Sequence, residues 1–308
     1  MKQEPAIHFA YFGSSTFSTY VLDELERAGF IPALIVTTPD KPAGRKLIMT
    51  PTPVKLWANA RSIPVIAPDK LTPPPAELGI TGATPFDLFI VASYGKIIPQ
   101  AILDIPPHKT LNVHPSLLPQ YRGASPVQSA ILNDTKDTGV TIMRIDEKMD
   151  HGPIVATCKV TIGSQEIPEW PADEKLKEIM GHAGGRLLAA TLAPWVAGQI
   201  PEVEQDHSVA TYTKKISKED AEINLSDIST KPYETFRKIQ AYHGWPSAYF
   251  FIKKESGNAT ANTTSEKTRV KITEAIYNKA TDTLTITKVI PEGKAEMSFT
   301  QFKAGYKI

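Results

Sequence analysis

The chain has a single cysteine among 308 residues, Cys158. One thiol excludes an intramolecular disulfide and a cysteine-built metal centre, and it fits a reducing, cytoplasmic setting. Long apolar runs are missing as well. The longest, such as Phe86–Ala92, are strand-length and fall far short of the roughly 20 residues that cross a bilayer as a helix, so no membrane partner is expected. The opening residues, MKQEPAIHFAYFG, lack the apolar core of a secretory signal. Charge of one sign is not in excess: 34 Lys+Arg face 33 Asp+Glu, a formal net charge of +1, which at first sight argues against a polyanionic partner. Phe12-Gly13-Ser14-Ser15-Thr16-Phe17 carries one glycine and no G-x-G-x-x-G, and no acidic residue follows the second candidate strand as a ribose ligand. A dinucleotide-dependent dehydrogenase is thereby excluded. No Walker motif, H-E-x-x-H or Cys/His ligand spacing is present, so no metal is expected.

A chain of this length exceeds the size at which single cores stop growing, and two unequal domains are expected. Ile7–Phe12 is a short apolar run that stops at Gly13, and apolar residues then recur at Tyr20, Val21, Leu25 and Ala28, a helical spacing. Ile31–Thr37, Val65-Ile66, Asp87–Ala92, Thr110–Val113 and Gly139–Ile145 continue as candidate strands, with helix-like stretches such as Pro126–Leu132 between them. This alternation predicts an α/β fold with a doubly wound, mostly parallel sheet covered on both faces. After about residue 207 the texture changes. Lys271–Thr300 alternates apolar and polar residues in short runs with turn signals at 278–282 and 291–293, which predicts a smaller antiparallel module, an OB-like β-barrel. The expected division is therefore 1–207 and 208–308.

The charge divides with the texture. Residues 208–308 hold 16 Lys+Arg and 11 Asp+Glu, a net of +5, leaving 18 and 22, a net of −4, for 1–207. The near-neutral total conceals a basic C-terminal portion suited to a polyanion. A cluster of aromatics there, Tyr242, Trp245, Tyr249 and Phe250, reads as core rather than as a base-stacking surface.

The densest chemical signal is Thr110–Gly123, TLNVHPSLLPQYRG. Asn112 and His114 stand two apart on a strand and so share a face, and both sit near the carboxyl end of a strand, where open α/β sheets form their ligand crevices. A second element, Ile145–Ile154 (IDEKMDHGPI), offers Asp146 and Asp150 on a loop with a Gly-Pro turn directly after Asp150. Either aspartate could merely cap that turn. Asp150 against His114 would instead favour the protonated imidazole and orient the ring. An amide, an imidazole and a carboxylate together suit acyl transfer, with donors for a tetrahedral oxyanion and an acceptor for the proton of an attacking amine.

The segments FGSSTFS (Phe12–Ser18), PDKPAGR, LNVHPSLLPQYRGASPVQ, GVTIM and MDHGPI resemble those of the methionyl-tRNA formyltransferases, and the resemblance continues through Ala210–Ser226 and His243–Ile252. It covers nearly the whole chain. It implies transfer of a formyl group from 10-formyltetrahydrofolate to the amino group of initiator methionyl-tRNA by a monomer. Asn112, His114 and Asp150 would be catalytic, with Asn112 and protonated His114 steadying the oxyanion. Ser116, Leu117, Leu118 and Pro119 would contact the folate, beside a pterin wall that includes Val91, Tyr94 and Gly95. The loop Thr37–Lys55, whose prolines and glycine argue against regular structure, would engage the tRNA acceptor end through Lys41, Arg45 and Lys46. Lys46-Leu47-Ile48 stands where relatives often carry a glycine and further lysines, so this loop has less charge and more apolar surface. Sugar-nucleotide N-formyltransferases and the hydrolase-like domain of formyltetrahydrofolate dehydrogenase share the N-x-H and downstream Asp pattern. The P-D-K-P-A-G-R insertion and the basic C-terminal portion favour the tRNA enzyme. An amino-sugar nucleotide is the alternative acceptor, and a non-catalytic RNA binder would not need the Asn112, His114 and Asp150 grouping.

Overall fold

A computed structural model describes residues 7–44, 47–79, 86–253 and 267–306. The chain forms two compact units, each assembled from separated stretches: Met1–Pro126, Asp137–Thr161 and Lys177–Thr213 make the first, and Val127–Lys136, Ile162–Leu176 and Lys214–Ile308 the second.

The first unit is built on a seven-stranded sheet. Its strands are β1 (Phe9–Gly13), β2 (Leu34–Val36), β3 (Val65–Ile66), β4 (Leu88–Ala92), β5 (Thr110–His114), β6 (Asp137–Arg144) and β7 (Ile154–Thr161), in the order β7-β6-β5-β4-β1-β2-β3. The five strands from β3 to β5 are parallel. Every residue of β1, β2 and β4 is buried, as expected of continuous apolar strands covered on both faces. β6 and β7 are antiparallel additions. The helix α1 (Thr16–Arg27) starts where Ser15 caps it in a reciprocal box with Ser18, and it buries Phe17, Val21, Leu22 and Leu25, one side of a 3.6-residue period.

Two features depart from the sequence expectation. The loop after β2 is partly regular: Lys41–Ala43 pairs antiparallel with Ile48–Thr50, and α2 (Pro53–Asn59) follows under a Thr52 cap. Pro42 is tolerated because a two-stranded ribbon leaves outward N–H groups unused, and Pro53 occupies the first turn of α2, where its missing N–H costs nothing. The second departure is a long helix after the α3 stretch (Pro126–Leu132), namely α4 (Asp173–Val196). Its glycines hold it close to its neighbours: a Cβ on Gly184 would lie 2.8 Å from Val113 Cγ1 and 2.9 Å from Val140 Cγ1, and one on Gly181 2.7 Å from Tyr20 Cβ. α4 therefore covers the sheet face that carries Val113, and Asn112 and His114 point to the other.

The second unit contains an antiparallel sheet in the order β8 (Tyr249–Lys253), β9 (Lys267–Asn278), β10 (Thr283–Pro291) and β11 (Met297–Ser298). Among the described residues its edges do not pair with each other, so a closed OB-like barrel is not seen there. Aromatic helices cover it instead: Phe236 of α5 (Pro232–Ala241) stacks on Tyr277 at 5.7 Å, and Phe302 of α6 (Phe299–Tyr306) meets Phe250 at 6.0 Å. Tyr242, Tyr249 and Phe250 are buried as expected, whereas Trp245 is 57% exposed on its turn. Trp170 is buried and donates its indole N–H to Asp134 at 2.6 Å, and the Tyr233 hydroxyl donates to the same carboxylate oxygen at 2.8 Å.

Candidate active site

The carboxyl ends of the parallel strands meet as a hydrogen-bonded rim. Ser14 N–H, just past β1, donates to Ser93 O, just past β4, at 3.2 Å. Beyond β2, Thr38 N–H donates to Ser14 Oγ at 3.2 Å, and the Thr37 hydroxyl lies 2.8 Å from that of Thr52. β5 adds His114 to this edge. Crevices at such edges are where open α/β sheets bind ligands.

On β5, the Asn112 carboxamide is partly exposed and makes no hydrogen bond to any described residue. Its two N–H donors are available. His114 is buried, with Nδ1 3.6 Å from Asp150 Oδ1 and Nε2 3.0 Å from the Tyr121 carbonyl. A carbonyl can only accept, so Nε2 carries a proton and donates it there. Nδ1 faces the carboxylate. Both ring nitrogens are therefore turned to protein groups, and the amide of Asn112 is the free donor of the pair.

Asp150 reaches His114 by a route the sequence does not reveal. Because β6 runs antiparallel to β5, it ends beside the start of β5: Ile145 N–H donates to Thr110 O at 2.9 Å, four residues or about 13 Å below His114. The segment after Ile145 must fold back along the strand to bring Asp150 up. Close approach makes this possible at Gly152, where a Cβ would lie 2.0 Å from Arg144 O. Asp150 itself adopts φ 50°, a left-handed conformation that costs a non-glycine residue about 1–3 kcal/mol. Its Oδ2 accepts from Gly123 N–H at 2.7 Å. Asp146 does not approach this group by any described contact; its carboxylate takes His151 Nδ1 at 2.7 Å.

The Ser116–Pro119 turn is tied to Gln120 and to Thr141 of β6. Ser116 is fully buried and its hydroxyl donates to Gln120 O at 2.6 Å, while Thr141 Oγ1 donates to Ser116 O and accepts from Leu118 N–H. Leu118 is buried, and Leu117 and Pro119 are half-buried, so the latter two retain surface for a ligand. Val91 is buried in the core with Phe12 and Phe89. Gly95 is exposed and Tyr94 half-buried, its ring edge-on to Phe12 at 5.6 Å. Burial pushes the Tyr94 hydroxyl up to about 12. That hydroxyl is enclosed without a hydrogen-bond partner, the state of a group left for a polar ligand to satisfy. Ile97 and Met149, on the segments that carry Gly95 and Asp150, are exposed apolar side chains of the kind a flat heterocycle covers. These features fit a folate-type donor. Lys41 is exposed at the base of the 41–50 ribbon; Arg45 and Lys46 lie outside the described residues. Leu47, Ile48 and Met49 leave exposed apolar surface on that ribbon.

Sequence reasoning missed the support of Asp150. Arg122 is fully buried and donates to Gln205, His207 and Tyr212. Gln205 in turn donates to the carbonyls of Asp150 and Gly152. Arg122 stands inside the Thr110–Gly123 string with nothing to single it out, and its partners lie over 80 positions away. Among the described residues no group of three or more His, Cys, Asp or Glu is disposed to hold a metal, and no helix is long and apolar enough to cross a membrane.

Residues 7–177 match the formyl transferase family. The chain is 37% identical over 305 residues to a methionyl-tRNA formyltransferase of Chloroflexus aggregans, covering 96% of each chain. It is 34% identical to one of Bacillus cytotoxicus, covering 98% of this chain and 96% of the relative. Among solved structures, a sugar N-formyltransferase from Shewanella aligns with TM-score 0.58 and 20% identity over 84% of this chain and 98% of that one. HypX from Aquifex aeolicus, solved with tetrahydrofolic acid, aligns with TM-score 0.64 and 14% identity over 98% of this chain and 47% of that one. Likeness at these identities extends to the fold.

Proposed function

The chain belongs to the methionyl-tRNA formyltransferases of the formyl transferase family, and from that premise we propose a reaction and a division of labour. The enzyme transfers a formyl group from 10-formyltetrahydrofolate to the free amino group of the methionyl residue on initiator tRNA. It acts in the cytoplasm, as a monomer. The reacting groups of formyl transfer belong to 1–207. The 208–308 portion, with its net +5, grips RNA phosphates together with Lys41, Arg45 and Lys46.

The observation that carries the site assignment is the grouping of a free amide and a buried imidazole–carboxylate pair on one face of β5, with His114 Nδ1 3.6 Å from Asp150 Oδ1. The methionyl amine attacks the formyl carbon, a C–N bond forms, and charge develops on the formyl oxygen. Asn112 donates to that oxygen. The His114–Asp150 pair accepts the proton that the amine loses and returns it to the departing folate nitrogen, so that the tetrahedral intermediate collapses with proton balance. His114, with Nε2 held by the Tyr121 carbonyl and Nδ1 facing the carboxylate, contributes through the pair rather than as a second oxyanion donor. Leu117, Pro119, Tyr94 and Gly95 line the folate site; Ser116, Leu118 and Val91 shape it from beneath.

The test is an assay with 10-formyltetrahydrofolate and either methionyl initiator tRNA or an amino-sugar nucleotide as acceptor. Formylation of the tRNA is expected. Transfer to the sugar alone would overturn the reading.

A further inference from the structure

Arg122 is a buried cation without an anion. It is 1% exposed, and none of the described carboxylates lies within ion-pair distance of its guanidinium. Its donors go to neutral acceptors: Nε and Nη2 to Gln205 Oε1 at 3.2 and 2.7 Å, Nη2 to His207 Nδ1 at 2.9 Å, and Nη1 to the Tyr212 hydroxyl at 3.1 Å. An arginine offers donors only. It therefore fixes the orientation of both neighbours: His207 carries its proton on Nε2, and Gln205 turns its carbonyl to Arg122 and its NH2 away. That NH2 group donates to Asp150 O at 3.0 Å and Gly152 O at 2.6 Å. These two carbonyls flank the turn that holds Asp150 at φ 50°. The next residue, Gly123, supplies the N–H bound by Asp150 Oδ2 at 2.7 Å.

We propose that Arg122 and Gln205 are positioning residues for formyl transfer, which hold the left-handed Asp150 turn so that its carboxylate faces His114. The inference rests on the role given above to the His114–Asp150 pair. A buried charge is expensive to keep and a solely structural contact could be made by apolar side chains of similar size; what the guanidinium adds is direction. Only a donor-only group opposite Gln205 compels the amide to present both hydrogens to the 150–152 backbone, and a strained backbone persists only where its surroundings over-determine it.

The experiment compares Arg122→Lys and Gln205→Glu in the full chain, with formyl donor and methionyl initiator tRNA. Gln205→Glu is the discriminating variant. It keeps and strengthens the tie to Arg122 but removes both N–H donors to Asp150 and Gly152. Each variant is expected to lower kcat roughly 10- to 100-fold, the scale of a misplaced reacting group, with KM for both substrates within about twofold of wild type, and to move the limb of the kcat–pH profile that reports the His114–Asp150 pair. If Arg122→Lys does not fold, Gln205→Glu alone decides. A folded Gln205→Glu protein with wild-type kcat overturns the proposal, as does a loss of kcat with an unmoved pH profile or an effect confined to KM. Asp150→Asn separates the two levels: wild-type turnover in that variant would remove the catalytic assignment itself, whatever Arg122 does.

Discussion

Replacing Gly152 by alanine puts one methyl group at the tightest point of the active-site loop. Its Cβ would lie 2.0 Å from Arg144 O, 3.1 Å from Arg144 C and 3.3 Å from Asp146 N. All three are backbone atoms, so no side chain can rotate away. Contacts of a Cβ below 3.0 Å are essentially never observed, and the loop must therefore withdraw by about 1 Å. Asp150, two residues away, moves with it. A displacement of that size at a reacting group costs on the order of 10²-fold in rate, or about 2.7 kcal/mol. Steady-state formylation of methionyl initiator tRNA should show this in kcat, with KM for the tRNA little changed because Lys41 and the C-terminal portion are untouched. Gly29→Ala provides the control. Gly29 has φ 86° with open space around it, so that variant should lose about 1–2 kcal/mol of stability, the cost of a Cβ in the left-handed region, and keep its kcat. A Gly152→Ala enzyme with kcat within about threefold of wild type would mean that the close approach at Gly152 does not set the place of Asp150.

Asn112→Ala should lower kcat about 10²- to 10³-fold, the loss of one oxyanion donor, while tRNA affinity measured by filter binding stays within twofold. Lys41→Ala should weaken tRNA binding and reduce the slope of log K against log salt by about 1; an unchanged slope would mean that Lys41 meets no phosphate. Acid stability turns on Asp134. Burial alone would raise the Asp134 carboxyl, but the Trp170 N–H and Tyr233 O–H bonds outweigh it and hold the group below its ordinary value. A lowered folded value contributes stability that is present above the unfolded value near about 3.9 and is lost as pH falls through the folded one. Asp134→Asn should therefore flatten the loss of urea stability below about pH 4 while lowering stability at pH 7.

The parallel core was legible because its strands are short, apolar and evenly punctuated: Leu88–Ala92 lies inside the run that predicts it, and Phe9–Gly13 passes the end of Ile7–Phe12 by Gly13 alone. Asn112 and His114 were legible as a pair because a two-residue spacing on a strand fixes a common face. α4 escaped notice since Gly181, Gly184, Gly185 and Pro194 dilute its pattern; these small residues serve packing, which only the partners Tyr20, Val113 and Val140 explain. The 41–50 ribbon was hidden by Pro42, whose cost vanishes at an unpaired edge. Arg122 and Gln205 carry no local signature at all. They are joined across 83 positions, and a charged residue in a loop reads as solvated until the fold buries it.

The two units are interleaved along the chain, and this sets a timetable for synthesis. Asn112, His114 and Asp150 have all left the ribosome long before the site can be finished, because Gln205 and the Tyr212–Thr213 strand that pairs with Arg122–Gly123 come later, after two segments destined for the other unit have emerged. A nascent chain halted at residue 207 would own every proposed reacting group yet lack the rung that secures Gly123, the donor to Asp150. Competence arrives with residue 213, when the last stretch of the first unit closes behind chemistry encoded a hundred residues earlier.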